Sequence, residues 1–218
     1  MERQKLMHLY DPPLIIKKAL PFFHWNTADG RILLTFDDGP NPDTTEIILS
    51  GLNRHKIKSL FFLVGNNVSR YGSLFSEILS EGHEIGNHTY NHRKLSFADE
   101  GDVVEEIEST NRIVYETSGR HLKFFRPPYG KFDFRTHRIA KDNGLNMVLW
   151  SLLTYDFQNN LSVVRRGIRK SLKKNSIVVL HDNTKSKGVL KDSIDLIAEE
   201  ASRKNFTFGT SETCLKRI

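Results

Sequence analysis

A chain of 218 residues, 38% hydrophobic and 27% charged, fits one globular domain with its own core and excludes a disordered or low-complexity protein. The net charge of +6 favours polyanionic partners, while the single cysteine, Cys214, excludes an intrachain disulfide and any cysteine-ligated zinc site. No stretch approaches the roughly 20 apolar residues that span a bilayer, and residues 1–10 lack the apolar core and cleavage site of a secretory signal, so the expected location is the cytoplasm.

The first 30 residues, with Pro12-Pro13 and Pro21, read as an N-terminal extension packed on a domain of residues 31–218. From there short apolar runs alternate with amphipathic ones. A strand at 32–36 is followed by a helix at 42–55, and a strand at 59–64 by a helix through Leu74, Ile78 and Leu79. A short strand at Glu84-Ile85 precedes a helix at 99–117, and a strand at 123–125 precedes a helix at 133–143. A strand at 146–150 leads to a helix at 161–174, and a strand at 176–180 to a helix through Ile194, Leu196 and Ile197. A strand at 205–208 closes the series. Seven strands alternating with six helices predict a parallel α/β sheet. The densest basic run, 165–174, carries Leu161, Val164, Ile168 and Leu172 at helical spacing. It reads as the solvated face of an amphipathic helix. No aromatic residue interrupts it to stack on bases, so no nucleic acid is expected as a partner.

Polar residues collect just after the strands: Asp37 and Asp38, His88, Arg126, Asp156 and His181. A closed barrel opens every C-terminal strand end onto one mouth, whereas an open sheet brings together mainly those at its switch point. Convergence from five strands therefore favours a distorted (β/α) barrel of about seven strands over an open sheet.

Asp37-Asp38-Gly39-Pro40 puts neighbouring carboxylates at a strand end, where keeping both charged needs a cation or a strong donor. Taken alone, it is equally an ordinary turn. His88-Thr89-Tyr90-Asn91-His92 spaces two imidazoles four apart; on a helix they would face one spot and, with one carboxylate, give three metal ligands. Arg126-Pro127-Pro128-Tyr129-Gly130 is a rigid loop whose arginine can orient a carboxylate, and His181 follows a very apolar strand, where it can titrate near neutral pH.

In this order, Thr35-Phe36-Asp37-Asp38-Gly39, His88-Thr89-x-x-His92, Arg126-Pro127-Pro128-Tyr129-Gly130 and Val179-Leu180-His181 resemble the successive motifs of the polysaccharide deacetylases (carbohydrate esterase family 4, the NodB-like domain). The resemblance implies a distorted (β/α) barrel and a metal-dependent hydrolase that removes N-acetyl groups from the amino sugars of a glycan. It implies Asp38, His88 and His92 as ligands of a divalent metal, usually zinc. Asp37 would then be the general base, His181 the general acid, the Tyr129 N–H a donor to the oxyanion, and Arg126 the residue that holds a catalytic carboxylate. Pro128, Tyr129, Phe157 and Val179 would contact substrate. Where many relatives carry an Asp, two residues and then Asp-Trp, this chain reads Leu153-Thr154-Tyr155-Asp156-Phe157. Asp156 keeps one carboxylate, free to pair with His181 or with Arg126, and Phe157 stands in for a tryptophan of the substrate groove. Two other readings remain open: a hydrolase of this fold acting on a cyclic amide or an O-acetyl ester, and a non-catalytic glycan-binding domain.

Overall fold

The computed structural model describes residues 9–215; residues 1–8 of the expected N-terminal extension, and 216–218 at the domain's end, lie outside the described residues. Seven parallel strands form one curled sheet. They are β1 (Leu33–Asp37), β2 (Leu60–Leu63), β3 (Glu84–Asn87), β4 (Phe124–Phe125), β5 (Asn146–Met147), β6 (Leu152–Leu153) and β7 (Ile177–His181), in the spatial order β5-β4-β3-β2-β1-β7-β6. The central strands β1, β2 and β7 are apolar nearly throughout because both of their faces are covered, which parallel sheets require. Helices α2 (Thr45–His55), α4 (Gly72–Ser80), α5 (Glu100–Ser118), α6 (Phe134–Asp142), α7 (Leu161–Ser171) and α8 (Leu190–Arg203) each turn an apolar stripe onto the sheet. Short helices α1 (Leu14–Ala19), α3 (Gly65–Arg70) and α9 (Ser211–Cys214) were not expected from the sequence.

The expected single strand at 146–150 is two strands. The chain leaves one edge of the sheet at Met147 and enters the opposite edge at Leu152. A four-residue link at ~3.3–3.6 Å per residue cannot span a flat seven-stranded sheet whose neighbours lie ~4.8 Å apart. The sheet therefore has to curl until its edges nearly meet. The seam is filled by the N-terminal segment: His24 donates to Met147 O at 3.0 Å and accepts from Leu149 N at 2.9 Å, and Tyr10 O accepts from Leu153 N at 2.9 Å. The expected last strand at 205–208 is not one; Phe208 makes an isolated bridge to Ile32, at the entry to β1.

Candidate active site

The chemistry-bearing side chains gather at the C-terminal ends of the strands. Thr35 and Asp37 lie on one face of β1, two residues apart, and both meet Arg126, which follows β4. The guanidinium is fully buried inside the curl. Its Nη1 donates to Asp37 Oδ1 at 2.7 Å and to Thr35 Oγ1 at 2.8 Å, while Nε and Nη2 donate to Val148 O and Leu149 O, each at 3.0 Å. Its carbon lies 4.1 Å from the centre of the Phe62 ring. Arg126 thus ties Asp37 to the two carbonyls of the seam. Burial pulls its pKa down, and the Asp37 carboxylate works against that. Asp37 Oδ2 is left facing His88, 4.0 Å from its Nε2.

Asp38 turns the other way. Its backbone has φ 82°, which ends the strand and sends the carboxylate toward His88 and His92. Oδ1 lies 3.5 Å from His88 Nε2 and 3.2 Å from His92 Nε2, and Oδ2 accepts from Asn183 Nδ2 at 2.6 Å. Residues 88–92 are not helical. The histidines meet instead because Thr89 and His92 both adopt left-handed backbone, at φ 67° and 56°, and this folds the loop back on itself. His88 Nδ1 sits 2.7 Å from Arg126 O; a carbonyl only accepts, so Nδ1 carries a proton and Nε2 is the ring atom turned toward Asp38.

Asp38, His88 and His92 therefore each offer one donor atom, all within 4.8 Å of one another, and the buried Asp38 Oδ1 has no hydrogen-bond partner among the described residues. Three convergent lone pairs repel unless protons or a cation come between them. Burial opposes the charge of Asp38, yet the two imidazoles, with His181 beyond them, hold its carboxyl well below the usual range. Two imidazoles and one carboxylate, with further positions open, make a donor set suited to a catalytic divalent metal.

Asp156, completely buried after β6, pairs with His181 and not with Arg126. Its Oδ1 lies 2.7 Å from His181 Nδ1, its Oδ2 accepts from the His181 N–H at 2.7 Å, and Thr154 Oγ1 donates to Oδ1 at 3.0 Å. Burial lowers the pKa of His181, but Asp156, with Asp38 and Asp37 behind it, outweighs burial and lifts it to about 9. The Phe157 ring stands edge-on to the His181 ring, 5.0 Å between centres, and forms one wall beside it. On the other side Tyr129, at φ 60°, packs its ring 4.8 Å from that of His92. The neighbouring Gly130 and Lys131 N–H groups go to Pro127 and Pro128 carbonyls, leaving the Tyr129 N–H without a partner among the described residues. Gly130 cannot be replaced here without strain: it has φ +61°, and a Cβ on it would come within 2.4 Å of the Trp150 ring. Pro128 is buried beneath the loop, and Val179 is completely buried in mid-strand, which removes Val179 from any groove wall.

Two residues that the sequence reading passed over complete the surroundings. Asn183 fixes Asp38, and its own Oδ1 accepts from Ser186 N at 3.3 Å. Asp182 is buried, and the Thr44 and Thr45 hydroxyls donate to its two oxygens at 2.6 and 2.7 Å, clamping the start of α2 to the end of β7. Burial raises its pKa to about 7 against those two donors. Both follow His181 directly, so the rule that strand ends carry chemistry could have included them. His83 is unconnected to the site: Ser59 N donates to its Nδ1, and burial lowers its pKa to about 4, as befits a neutral core histidine.

A family model described as polysaccharide deacetylase matches residues 24–148. A peptidoglycan-N-acetylglucosamine deacetylase of Bacillus cereus is 31% identical over 211 residues, covering 93% of this chain and 99% of that protein. The peptidoglycan-N-acetylglucosamine deacetylase PgdA of Listeria monocytogenes is 31% identical over 181 residues, 83% of this chain; the aligned region spans only 38% of the Listeria protein. The crystal structure of the Bc1960 peptidoglycan N-acetylglucosamine deacetylase superimposes with a TM-score of 0.85 at 27% identity, covering 94% of this chain and 98% of that one.

Proposed function

The chain belongs to the polysaccharide deacetylase family, which is metal-dependent, and on that premise we propose that it hydrolyses the N-acetyl groups of amino sugars in a glycan, releasing acetate and a free amine. The observation that carries the proposal is the pairing of two carboxylates with different partners around one convergent donor set. Asp38, His88 and His92 would hold the metal, which we propose to be zinc. When bound, such an ion supplies Lewis acidity toward the acetyl carbonyl and lowers the pKa of water in the site.

The chain's own residues do the rest. Asp37 is the general base: Arg126 occupies its Oδ1, leaving Oδ2 free to take the proton of the attacking water. The fixed guanidinium also stops Asp37 from swinging round to join the ligand set. The Tyr129 N–H, which has no partner among the described residues, is the donor to the developing oxyanion. His181 is the general acid. Asp156 accepts from its Nδ1–H and stabilises the charged ring, whose Nε2–H is then given to the leaving nitrogen. An amine leaves readily only once protonated, so the amide C–N bond breaks as that proton is transferred. Phe157 and Tyr129 flank this path as substrate contacts.

The test is acetate release from N-acetylglucosamine oligomers by wild type and by Asp37→Asn, each with and without chelator. Wild type should turn over and stop on chelation. Asp37→Asn should lose at least about 10²-fold in rate while binding zinc as before. Turnover that survives the substitution removes Asp37 as the base. Zinc binding without turnover on any acetylated glycan removes the deacetylase reading.

A further inference from the structure

A second surface lies along α7, away from the strand-end site. The helix buries Val164, Gly167, Ile168 and Ser171 and exposes Arg165, Arg166, Arg169 and Lys170, with Lys173 and Lys174 continuing the exposed face. Of these six cations only Lys173 forms an ion pair among the described residues, with Asp11 at 3.0 Å. The N-terminal segment is laid on the same flank. The Tyr10 ring lies so close to Gly167 that a Cβ there would approach it to 2.5 Å, and the Tyr10 hydroxyl donates to Val163 O at 3.1 Å. Asp11 joins Lys173 to Lys17 of α1, so α1 is fixed beside the end of α7.

Helix α1 buries none of its residues. Leu14 is 72% exposed and Ile15 77%, and Ile16 and Leu9 also reach solvent. One exposed leucine is ordinary on a protein surface. A run of three, bordered by Lys18 and the α7 cations, fits a partner that is apolar and anionic at once. A soluble polyanion would use the charges and leave Leu14 and Ile15 in water. An uncharged apolar partner would leave the cations unmatched. The interface of an anionic bilayer satisfies both, with headgroup phosphates against the basic ridge and the aliphatic side chains at the acyl boundary.

We propose that α1 and the basic face of α7 together form a docking surface for an anionic lipid bilayer. No described helix is long and apolar enough to cross a membrane, so this is attachment along a surface. Helix α7 starts at its cap Asn160, just past Phe157 at the rim of the site, and runs to the far end of the sheet. A bilayer along this flank meets the domain side-on and leaves the mouth open beside it.

The experiment is co-sedimentation of the full chain with vesicles of phosphatidylcholine alone and of an equal mixture of phosphatidylcholine and phosphatidylglycerol, at low and high salt. Three variants accompany wild type: Arg166→Gln with Lys170→Gln, Leu14→Ser with Ile15→Ser, and all four changes together. All four positions are exposed, and circular dichroism should show each variant folded as wild type. Wild type should pellet with the mixed vesicles only, and less at high salt. The charge pair should weaken partitioning about 30-fold, each basic residue near such a surface contributing about 1 kcal/mol. The apolar pair should weaken it about tenfold or more. Failure of wild type to pellet with the mixed vesicles at low salt overturns the proposal. So does sedimentation that the apolar pair leaves unchanged, which would make the flank a surface for soluble polyanions.

Discussion

Replacing Arg126 with methionine keeps an unbranched apolar stem and removes the group on which both the seam and Asp37 depend. The guanidinium is fully buried and makes four hydrogen bonds of 2.7–3.0 Å, one to a carboxylate that is itself only 4% exposed. Breaking a buried ion pair by removing one partner costs about 3–5 kcal/mol, because the other charge stays buried and uncompensated. Two orphaned seam carbonyls add about 1 kcal/mol each, softened where water enters the vacated space. A loss of about 5 kcal/mol is comparable to the whole stability of many domains. At about 2–4 °C per kcal/mol for a chain of this size, melting should fall by about 10–20 °C. Urea and thermal unfolding of Arg126→Met, Asp37→Asn and the double variant give a complete cycle. The double variant should be more stable than Arg126→Met alone, since the neutral amide no longer leaves a buried charge. Arg126→Lys should fall between wild type and Arg126→Met, restoring the charge without the fork that reaches Thr35, Val148 and Leu149 together. A melting point for Arg126→Met within a few degrees of wild type, or strictly additive losses in the cycle, would refute this account.

Asn183→Ala leaves Asp38 Oδ2 without its donor; zinc affinity measured calorimetrically on chelator-treated protein should drop about 10–100-fold, the usual effect of losing a residue that orients a ligand, and an unchanged affinity would show that Asp38 needs no such support. Asp156→Asn keeps the shape of the side chain, removes the charge that raises His181 and turns one of its two acceptor oxygens into a donor. In ion-free wild type His181 titrates at about 9, above about 6.5 in an unfolded chain. The charged ring therefore stabilises the fold fully below about pH 6.5, and that contribution disappears as pH rises through about 9. Chelated Asp156→Asn should accordingly melt below wild type under mildly acidic conditions, with the gap narrowing on the alkaline side of pH 9; a gap independent of pH would mean that the pair does not titrate as described.

Much of the architecture was legible because parallel strands buried on both faces leave long apolar runs, as at β1 and β7, and because helices such as α7 show their period plainly. The split between β5 and β6 was not legible. Residues 146–153 are apolar almost without a break, and periodicity cannot show that the chain passes from one edge of a curled sheet to the other within them. The false strand at 205–208 has the opposite cause: alternating aromatic residues look like a strand, but Phe208 makes only a single bridge to Ile32. In the site, residue types and their order pointed to Asp38, His88 and His92, whose donor atoms converge, whereas pairings that depend on tertiary approach did not show. Asp156 had two candidate partners on sequence grounds, and only the position of β6 beside β7 assigns it to His181.

The histidine loop and the aspartate pair share one device that no hydropathy pattern records. His88 and His92 converge through left-handed residues at Thr89 and His92, and Asp37 and Asp38 diverge through a left-handed residue at Asp38. Continued as a strand, the chain would place Asp38 on the face opposite Asp37, with Phe36, and away from both imidazoles. The turn at φ 82° instead brings Asp38 against the histidines while β1 keeps Asp37 on the Arg126 side. Positive φ in a residue with a side chain is unfavourable by about 1 kcal/mol or more and persists only where surroundings impose it. Here the Asp38 N–H bond to Phe62 O, the Asn67 bond to Asp38 O and the Asn183 bond to its carboxylate impose it together. Two neighbouring carboxylates of the same chemical type are thereby given different partners, one an arginine and the other a pair of histidines, and that backbone turn is the physical basis for assigning them different tasks.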